Sequence, residues 1–349
     1  MMEEFRVLDS SDPVDRGVWI DAWNQWDERE VQAHPAYGEI FALEGDRVMA
    51  ALGTGPRDHT ILYPYLLRKI ESGLGSGNLY DMSSPYGYGG PFTWGTDTAP
   101  ESSRRFWNQL DEWMRTENVI SEFIRFALFG SDADSYPGDT VMRQVNVIVG
   151  LERSPEDLWR SFASKVRRNV NRAQKEGVHV VLDSTPAGVD KFHPIYLNTM
   201  LRRSANLEYH FSRNFFERLH NGLPGKFAYF HAIRQGEVVS TELVLVSEAT
   251  VYFFLGGTLL EGFPVRANEL LKYKVMKWAM AQGKKRYVLG GGHEPNDGIE
   301  RYKRAFAPDG LFTFSTGQRV VNQSAYDNLV ALHCRSENTD THFFPKYRE

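Results

Sequence analysis

The chain has 349 residues, 42% of them hydrophobic and 13% aromatic, with a formal net charge of -5. That length exceeds one ordinary core and suits two domains. The near-balanced charge excludes a global basic field that would hold a long nucleic acid through counterion release. A single cysteine, Cys334, excludes a disulfide framework and a cysteine-rich zinc site, and suits a reducing compartment. The start, "MMEEFRVLDSSDP", is acidic where a signal peptide needs a basic region before an apolar run. No segment approaches the roughly 20 apolar residues that span a bilayer. The expectation is a soluble cytoplasmic protein.

In chain order, "DRVMAALGTG", "HTILYPYLLRKI" and "GNLYDMS" read as strands, "APESSRRFWNQLDEWMRTEN" as a helix and "ISEFIRFALF" as a buried strand. Before that helix lies "SSPYGYGGPFTWG", rich in Gly, Pro and aromatics, with Tyr86 and Tyr88 inside it. The polar "GSDADSYPGDTVM", with Pro137 and Gly138, marks a domain boundary. It predicts an N-terminal domain over 1–138, a C-terminal domain over 139–330 and a tail over 331–349.

The second half opens with one amphipathic helix. Ser154 is its N-cap, Pro155 its first residue and Asp157 its capping acid. Trp159, Phe162, Val166, Val170 and Ala173 recur at helical spacing, and Gly177 is the stop. A second helix over about 186–203 carries Phe192, Tyr196 and Met200, and a shorter one carries Phe215, Phe216 and Leu219. "KFAYFHAIR", "EVVSTELVLVS" and "TVYFFLGGT" form an antiparallel meander. A helix follows in "RANELLKYKVMKWAMAQG", with Leu271, Val275 and Trp278 inward and Gly283 as stop. Then come the strand "RYVLGG", a short helix at Arg301 to Phe306, and the strand "LFTFSTGQRVV". This is an α+β pattern whose second half has the element order of a GNAT-type acyltransferase. The first half repeats much of that order with little residue identity. The expected fold is therefore a tandem of GNAT-like domains, each a mixed, mainly antiparallel sheet flanked by helices.

"LGGGHEPNDGIERYKRAFAPDG" holds the densest cluster of reactive residue types. Its glycines lack the Gly-Lys-Ser/Thr ending of a phosphate loop and the spaced GxGxxG of a dinucleotide fold. His293, Glu294 and Asp297 lack the helical spacing of a zinc site, and the loop holds Pro295 and Gly298, so no metal is assigned. There is no GxSxG nucleophile elbow, and Cys334 lies in a polar tail. No carboxylate pair stands out for glycoside chemistry. Lys303, flanked by Tyr302, follows a buried strand through a glycine loop, where ligand crevices form in mixed sheets. It is read either as a solvated lysine or as a site residue. The basic face of Lys165, Arg167, Arg168, Arg172 and Lys175 is either solvated or an anion platform. Arg202 and Arg203 end a helix, where cations offset the dipole without any ligand.

Taken together, "KVRRNVNRAQKEGV", "YLNTMLRR", "GEVVSTELVL", "VYFFLGGT", "ANELLKYKVMKWAMAQGKKRYVLGGG" and "RYKRAF" resemble the Fem family of aminoacyl-tRNA-dependent peptidyl transferases, and the wider FemAB-like acyltransferases of double GNAT fold. The first half resembles that wider group through "YDMSSPYGYGGP". The resemblance implies transfer of an aminoacyl group from tRNA to an amine of a peptide, cell-wall precursor, or peptide or nucleoside natural product. Aminoacyl-tRNA would be the co-substrate, and no cofactor is needed. By the same resemblance Lys303 matches the lysine near the reacting ester, with Tyr302 in place of a family Phe. Arg202 or Arg203 matches an acceptor-phosphate arginine, and Tyr252 matches a strand tyrosine. Backbone N–H groups at Gly291 and Gly292, together with Tyr86 and Tyr88, complete the expected substrate-binding set. "VQAHPAYGEIF" lacks the first-domain lysine of the cell-wall members, and there is no room for their inserted helical arm. Two alternatives stand beside this reading. One is an acyl-CoA-dependent GNAT enzyme, although "GFPVRANELL" lacks the R/QxxGxG/A pyrophosphate loop. The other is a non-catalytic binding module.

Overall fold

The fold comes from a computed structural model that describes residues 4–55, 59–71, 78–95, 100–130, 133–333 and 343–348. Cys334, most of the expected tail, Gly77, Ala99 and residues 131–132 of the expected boundary lie outside these residues. In chain order the elements are β1 (Glu4–Asp9), α1 (Pro13–Asn24), α2 (Pro35–Phe41), β2 (Arg47–Thr54), β3 (Thr60–Ile70), β4 (Leu79–Ser83), β5 (Phe92–Trp94), α3 (Pro100–Thr116), β6 (Val119–Arg125), β7 (Asp139–Gly150), α4 (Pro155–Ser161), α5 (Ser164–Lys175), β8 (His179–Asp183), α6 (Gly188–Arg202), α7 (Arg213–Gly222), β9 (Phe227–Arg234), β10 (Glu237–Val246), β11 (Thr250–Thr258), α8 (Ala267–Ala281), β12 (Arg286–Gly290), α9 (Gly298–Arg304), β13 (Leu311–Val320) and α10 (Gln323–His333).

Contacts divide the chain into two units, one of Met1–Asp27, Gln32–Arg143 and Phe314–Glu349, the other of Glu28–Val31 and Gln144–Thr313. This differs from the ranges the sequence suggests at 28–31, which belong to the second unit, at 139–143, which belong to the first, and after 313. Residues 314–330 fold with the first unit, because β13 pairs with β6 from Thr316↔Arg125 to Val320↔Ser121. The end of the chain is also built in: Arg348 donates to the fully buried Asp81 at 2.8 Å, and Tyr347 shares a hydrogen bond with Ser121 at 2.7 Å. Tyr347 and Arg348 are thus held by an interior carboxylate that hydrophobic periodicity does not reveal.

The first unit is a sheet in the order β1-β2-β3-β4-β6-β13, with β5 on β3. Only β4 and β6 run parallel. One face packs Phe106, Trp107, Leu110 and Met114 of α3 onto Tyr63, Tyr65 and Ile124. The other packs Trp19 and Trp23 of α1 onto Ala50 and Leu62. Helix α1 starts where Asp12 accepts from Val14 N and Asp15 N and Pro13 takes the first turn.

The second unit is a sheet in the order β7-β12-β11-β10-β9-β8. The meander β9-β10-β11 is antiparallel, as its breaker-rich turns predict. Helices α5 and α8 cover one face over Val166, Val170, Leu271, Val275 and Ala279. Helix α6, carrying Phe192 and Tyr196, packs on β9, β10 and β11. Met200, expected inward, is only half-buried. Ser154 caps α4 through Asp157 N at 3.1 Å, as the capping pattern predicts.

The single helix expected from Ser154 to Gly177 is two. Phe162 and Ala163 leave helical geometry at ψ 143 and ψ 144. The break lets Ala163 N donate to Ala305 O at 2.9 Å and seats the Phe162 ring edge-on to Phe306 at 5.7 Å. A tertiary backbone bond and an aromatic contact outweigh local propensity here. Arg167 of the basic face donates to the carbonyls of Arg160 and Phe162, closing the end of α4. Lys165, Arg168, Arg172 and Lys175 are exposed, which is the solvated arrangement.

Candidate active site

The site is built where β11 and β12 part. These parallel neighbours register over Thr250↔Arg286, Val251↔Tyr287 and Tyr252↔Val288, while β11 continues to Thr258. Past that point β12 reaches Gly290, at φ 78, and the glycine loop begins. Gly290 takes the left-handed region that glycine enters at no steric cost. A Cβ on Gly291 would lie 2.7 Å from Gln144, and one on Gly292 would lie 2.5 Å from an Asp297 carboxylate oxygen. Gly292, where that Cβ would also meet the Glu294 carbonyl at 2.9 Å, is needed for close approach, whereas the Gln144 side chain beside Gly291 can swing away.

Asp297 organises the rest of this loop. Its carboxylate accepts from Glu300 N at 2.7 Å, capping α9, and from His293 N at 2.8 Å. These bonds, the Glu300 one foremost, hold its pKa below the usual carboxylate value. Helix α9 begins at Gly298, earlier than the expected Arg301, because Asp297 supplies its cap. Glu300, which is buried, accepts from Asn296 N at 2.8 Å and from Arg304 at 3.2 Å. Among the described residues no cluster of three His, Cys, Asp or Glu could hold a metal ion.

Lys303 turns back from α9 so that its Nζ donates to Gly291 O at 2.6 Å. The ammonium lies 5.5 Å from the Phe253 ring centroid. Burial pushes its pKa down to about 7, the Lys272 charge adds to this, and Asp297 and Glu242 oppose it. At neutral pH this lysine is poised between its two protonation states. Tyr302 stands edge-on to Phe306 at 5.4 Å, and its buried hydroxyl has no hydrogen-bond partner among the described residues. Burial pushes the Tyr302 pKa up, so the phenol stays protonated.

Beneath Lys303 lies a charged group that sequence reasoning missed. Lys272 of α8 donates to Glu242 of β10 at 2.8 Å, and its Nζ sits 3.5 Å from the Phe253 ring centroid. Both side chains are nearly inaccessible, 3% and 1% exposed, so this is an ion pair in the core and not a surface bridge. Tyr287 of β12 donates to the other Glu242 oxygen and also receives Lys272 at 3.4 Å. Burial lowers the Lys272 pKa against the pull of Glu242. The carboxylate and the ring face both favour the charged form. The available signal was that Lys272 precedes Met276 and Ala279 at helical spacing, on the buried stripe of α8.

The remaining expected residues fall elsewhere. Tyr252 is not brought to Lys303: neighbouring strand residues point to opposite faces, and Phe253 takes the lysine side. Tyr252 is buried and bonds Glu30, a carboxyl whose pKa burial raises to about 7. Arg202 donates to Thr258 O at 2.9 Å and lies 5.2 Å from the Phe263 ring centroid, so its guanidinium fastens α6 to the end of β11. Arg203, the C-cap residue, is exposed. Tyr86 and Tyr88 belong to the first unit. There Tyr37 donates to Tyr86 O at 2.8 Å, Tyr88 stands edge-on to Phe314 at 5.5 Å, and Gly89 N donates to Arg125 O at 2.7 Å.

Comparison with known proteins bears on the fold that carries this mixed sheet, its glycine loop and Lys303. Residues 160–304 match the acetyltransferase (GNAT) domain family. The whole chain is similar in fold to the crystal structure of FemX, at TM-score 0.69 and 14% identity over 89% of this chain and 97% of that one. It is similar to the C-terminal domain of a putative lysylphosphatidylglycerol synthetase from Agrobacterium fabrum, at TM-score 0.52 and 12% identity over 91% and 95%. It is similar too to a tandem GNAT protein from the clavulanic acid biosynthesis pathway, at 0.51 and 10% over 90% and 98%. No curated protein sequence matches. The chain thus has the tandem GNAT fold shared with these structures, and residues 160–304 are the part that matches the GNAT domain family. No described helix is long and apolar enough to cross a membrane.

Proposed function

We propose that the protein transfers an aminoacyl group from aminoacyl-tRNA to the amine of a peptide, a cell-wall precursor, or a peptide or nucleoside natural product. The carrying observation is Lys303, held at 2.6 Å on Gly291 O beside the parted strands with a pKa near 7. In this reading the acceptor amine attacks the ester carbonyl, a C–N bond forms, and the bond to the ribose oxygen breaks. The Lys303 ammonium stabilises the oxyanion and gives a proton to the departing oxygen, and the proton released by the amine restores it. A pKa near the working pH suits such a donor. FemX and the lysylphosphatidylglycerol synthetase domain support an aminoacyl donor by their fold. Tyr302 would donate from its unpartnered hydroxyl, and Arg202 or Arg203 would meet acceptor phosphate. Gly291 and Gly292 would line the ester site.

An acyl-CoA donor is the second reading. The family match is to an acetyltransferase domain, and α8 opens at Arg266, φ 61, with no side-chain cap, leaving its first N–H groups open to an anion. A radiolabel transfer assay with charged tRNA and acyl-CoA in parallel separates the two. Lys303→Met should lower turnover with the true donor about 100-fold or more, the range for losing one oxyanion donor. Full turnover in Lys303→Met would remove the lysine from the mechanism.

A further inference from the structure

Two lysines share one aromatic ring in the second unit. The Lys272 Nζ lies 3.5 Å from the Phe253 centroid and the Lys303 Nζ 5.5 Å, so the nitrogens are no more than about 9 Å apart, the limit those two distances set. A lysine on the inner stripe of a helix is expensive to bury. Here Glu242 at 2.8 Å and the Tyr287 hydroxyl, accepting at 3.4 Å, hold it in one place. Packing α8 on the sheet does not need this charge, since Leu271, Val275, Met276 and Ala279 already cover that face. What the charge does do is face Lys303, whose other charged neighbours are Asp297 ahead of α9 and Glu242 on β10.

We propose that Lys272, clamped by Glu242 and Tyr287 against Phe253, is a positioning residue for Lys303: it sets the charge that the Lys303 ammonium faces, and so how readily that ammonium passes its proton to the departing oxygen. This rests on the role given to Lys303 above. A cation beside a lysine is a known means of activating it, and it acts strongly where water is excluded. Asp297 and Glu242 oppose that field, and Lys272 is the largest of the three charged influences on Lys303.

The test does not need the substrate. Trace labelling of the full chain with isotopically tagged acetic anhydride across pH, read peptide by peptide in a mass spectrometer, gives the titration midpoint of Lys303. In the unaltered protein the midpoint should fall near the value of about 7. Lys272→Met should raise it by about one pH unit, the size of one unit charge at this range in a partly screened interior. Should Lys272→Met not fold, the paired change Lys272→Met with Glu242→Gln removes two opposing charges together, and because Lys272 outweighs Glu242 at Lys303 the midpoint should still rise, by less than in the single variant. Lys272→Arg keeps the charge and should keep the midpoint low. An unchanged midpoint in the paired variant overturns the proposal. If the midpoint moves but no aminoacyl transfer occurs in any variant or in the parent, the charge-setting role stands and the aminoacyl reading fails.

Discussion

Lys272→Met is also the sharpest test of how this interior is held. Removing the ammonium leaves Glu242, 1% exposed, with one oxygen still bound by Tyr287 and the other facing an apolar side chain. An unpaired buried carboxylate of this kind costs about 3–5 kcal/mol. Changing Glu242→Gln in the same chain removes the stranded charge and keeps an acceptor for Tyr287. The double variant should therefore recover to within about 1–2 kcal/mol of the parent, because replacing a whole buried pair is often close to neutral. Urea titration followed by hydrogen exchange of peptides from β10 and β12 reads this unit by itself. If the single and double variants lose the same stability, Lys272 and Glu242 do not stabilise one another as charges, and the ion-pair description is wrong.

Two further outcomes follow from named contacts. In Gly292→Ala the new methyl meets Asp297 Oδ1 at 2.5 Å and Glu294 O at 2.9 Å, while in Gly291→Ala it meets only the Gln144 side chain, at 2.7 Å. Gly292→Ala should thus cost about 1 kcal/mol of capping at α9 and lower transfer activity through Lys303, and Gly291→Ala should cost less, both seen by melting temperature and turnover. His231 is fully buried, its Nδ1 lies 2.9 Å from Thr241 Oγ1, and burial pushes its pKa down to about 4. Since the unfolded chain binds that proton near 6.5, the contribution is complete above that pH. It is lost as pH falls toward 4, by about 3 kcal/mol in all. His231→Gln should flatten the fall in urea midpoint between those two pH values.

Elements whose signal is local were legible in the sequence. Ser154 with Asp157, the QGE and SEA turns, and Gly177 and Gly283, both at positive φ, each act within a few residues, and the helix start, the two helix stops and the meander strands formed where expected. What local patterning misjudged was set by distant partners. Helix 154–177 breaks because Ala305 O and the Phe306 ring lie beneath Ala163 and Phe162. The end of the chain orders because Asp81, far away in sequence, takes Arg348.

The site divides in the same way. Lys303 and the glycine loop could be found from their order along the chain, because strand, glycine turn and short helix are contiguous. The ammonium does meet the loop it follows, at Gly291 O. Tyr252, named from the resemblance, stands next to Phe253, but strand alternation gives Phe253 the lysine face and turns Tyr252 toward Glu30. Lys272 and Glu242 were invisible for the opposite reason. Each reads alone as one polar residue on an apolar stripe, and only the fold joins α8 to β10. A lysine on the inner stripe of α8 and a glutamate inside the β10 run were each costly alone, and that shared cost was the clue that they belong together.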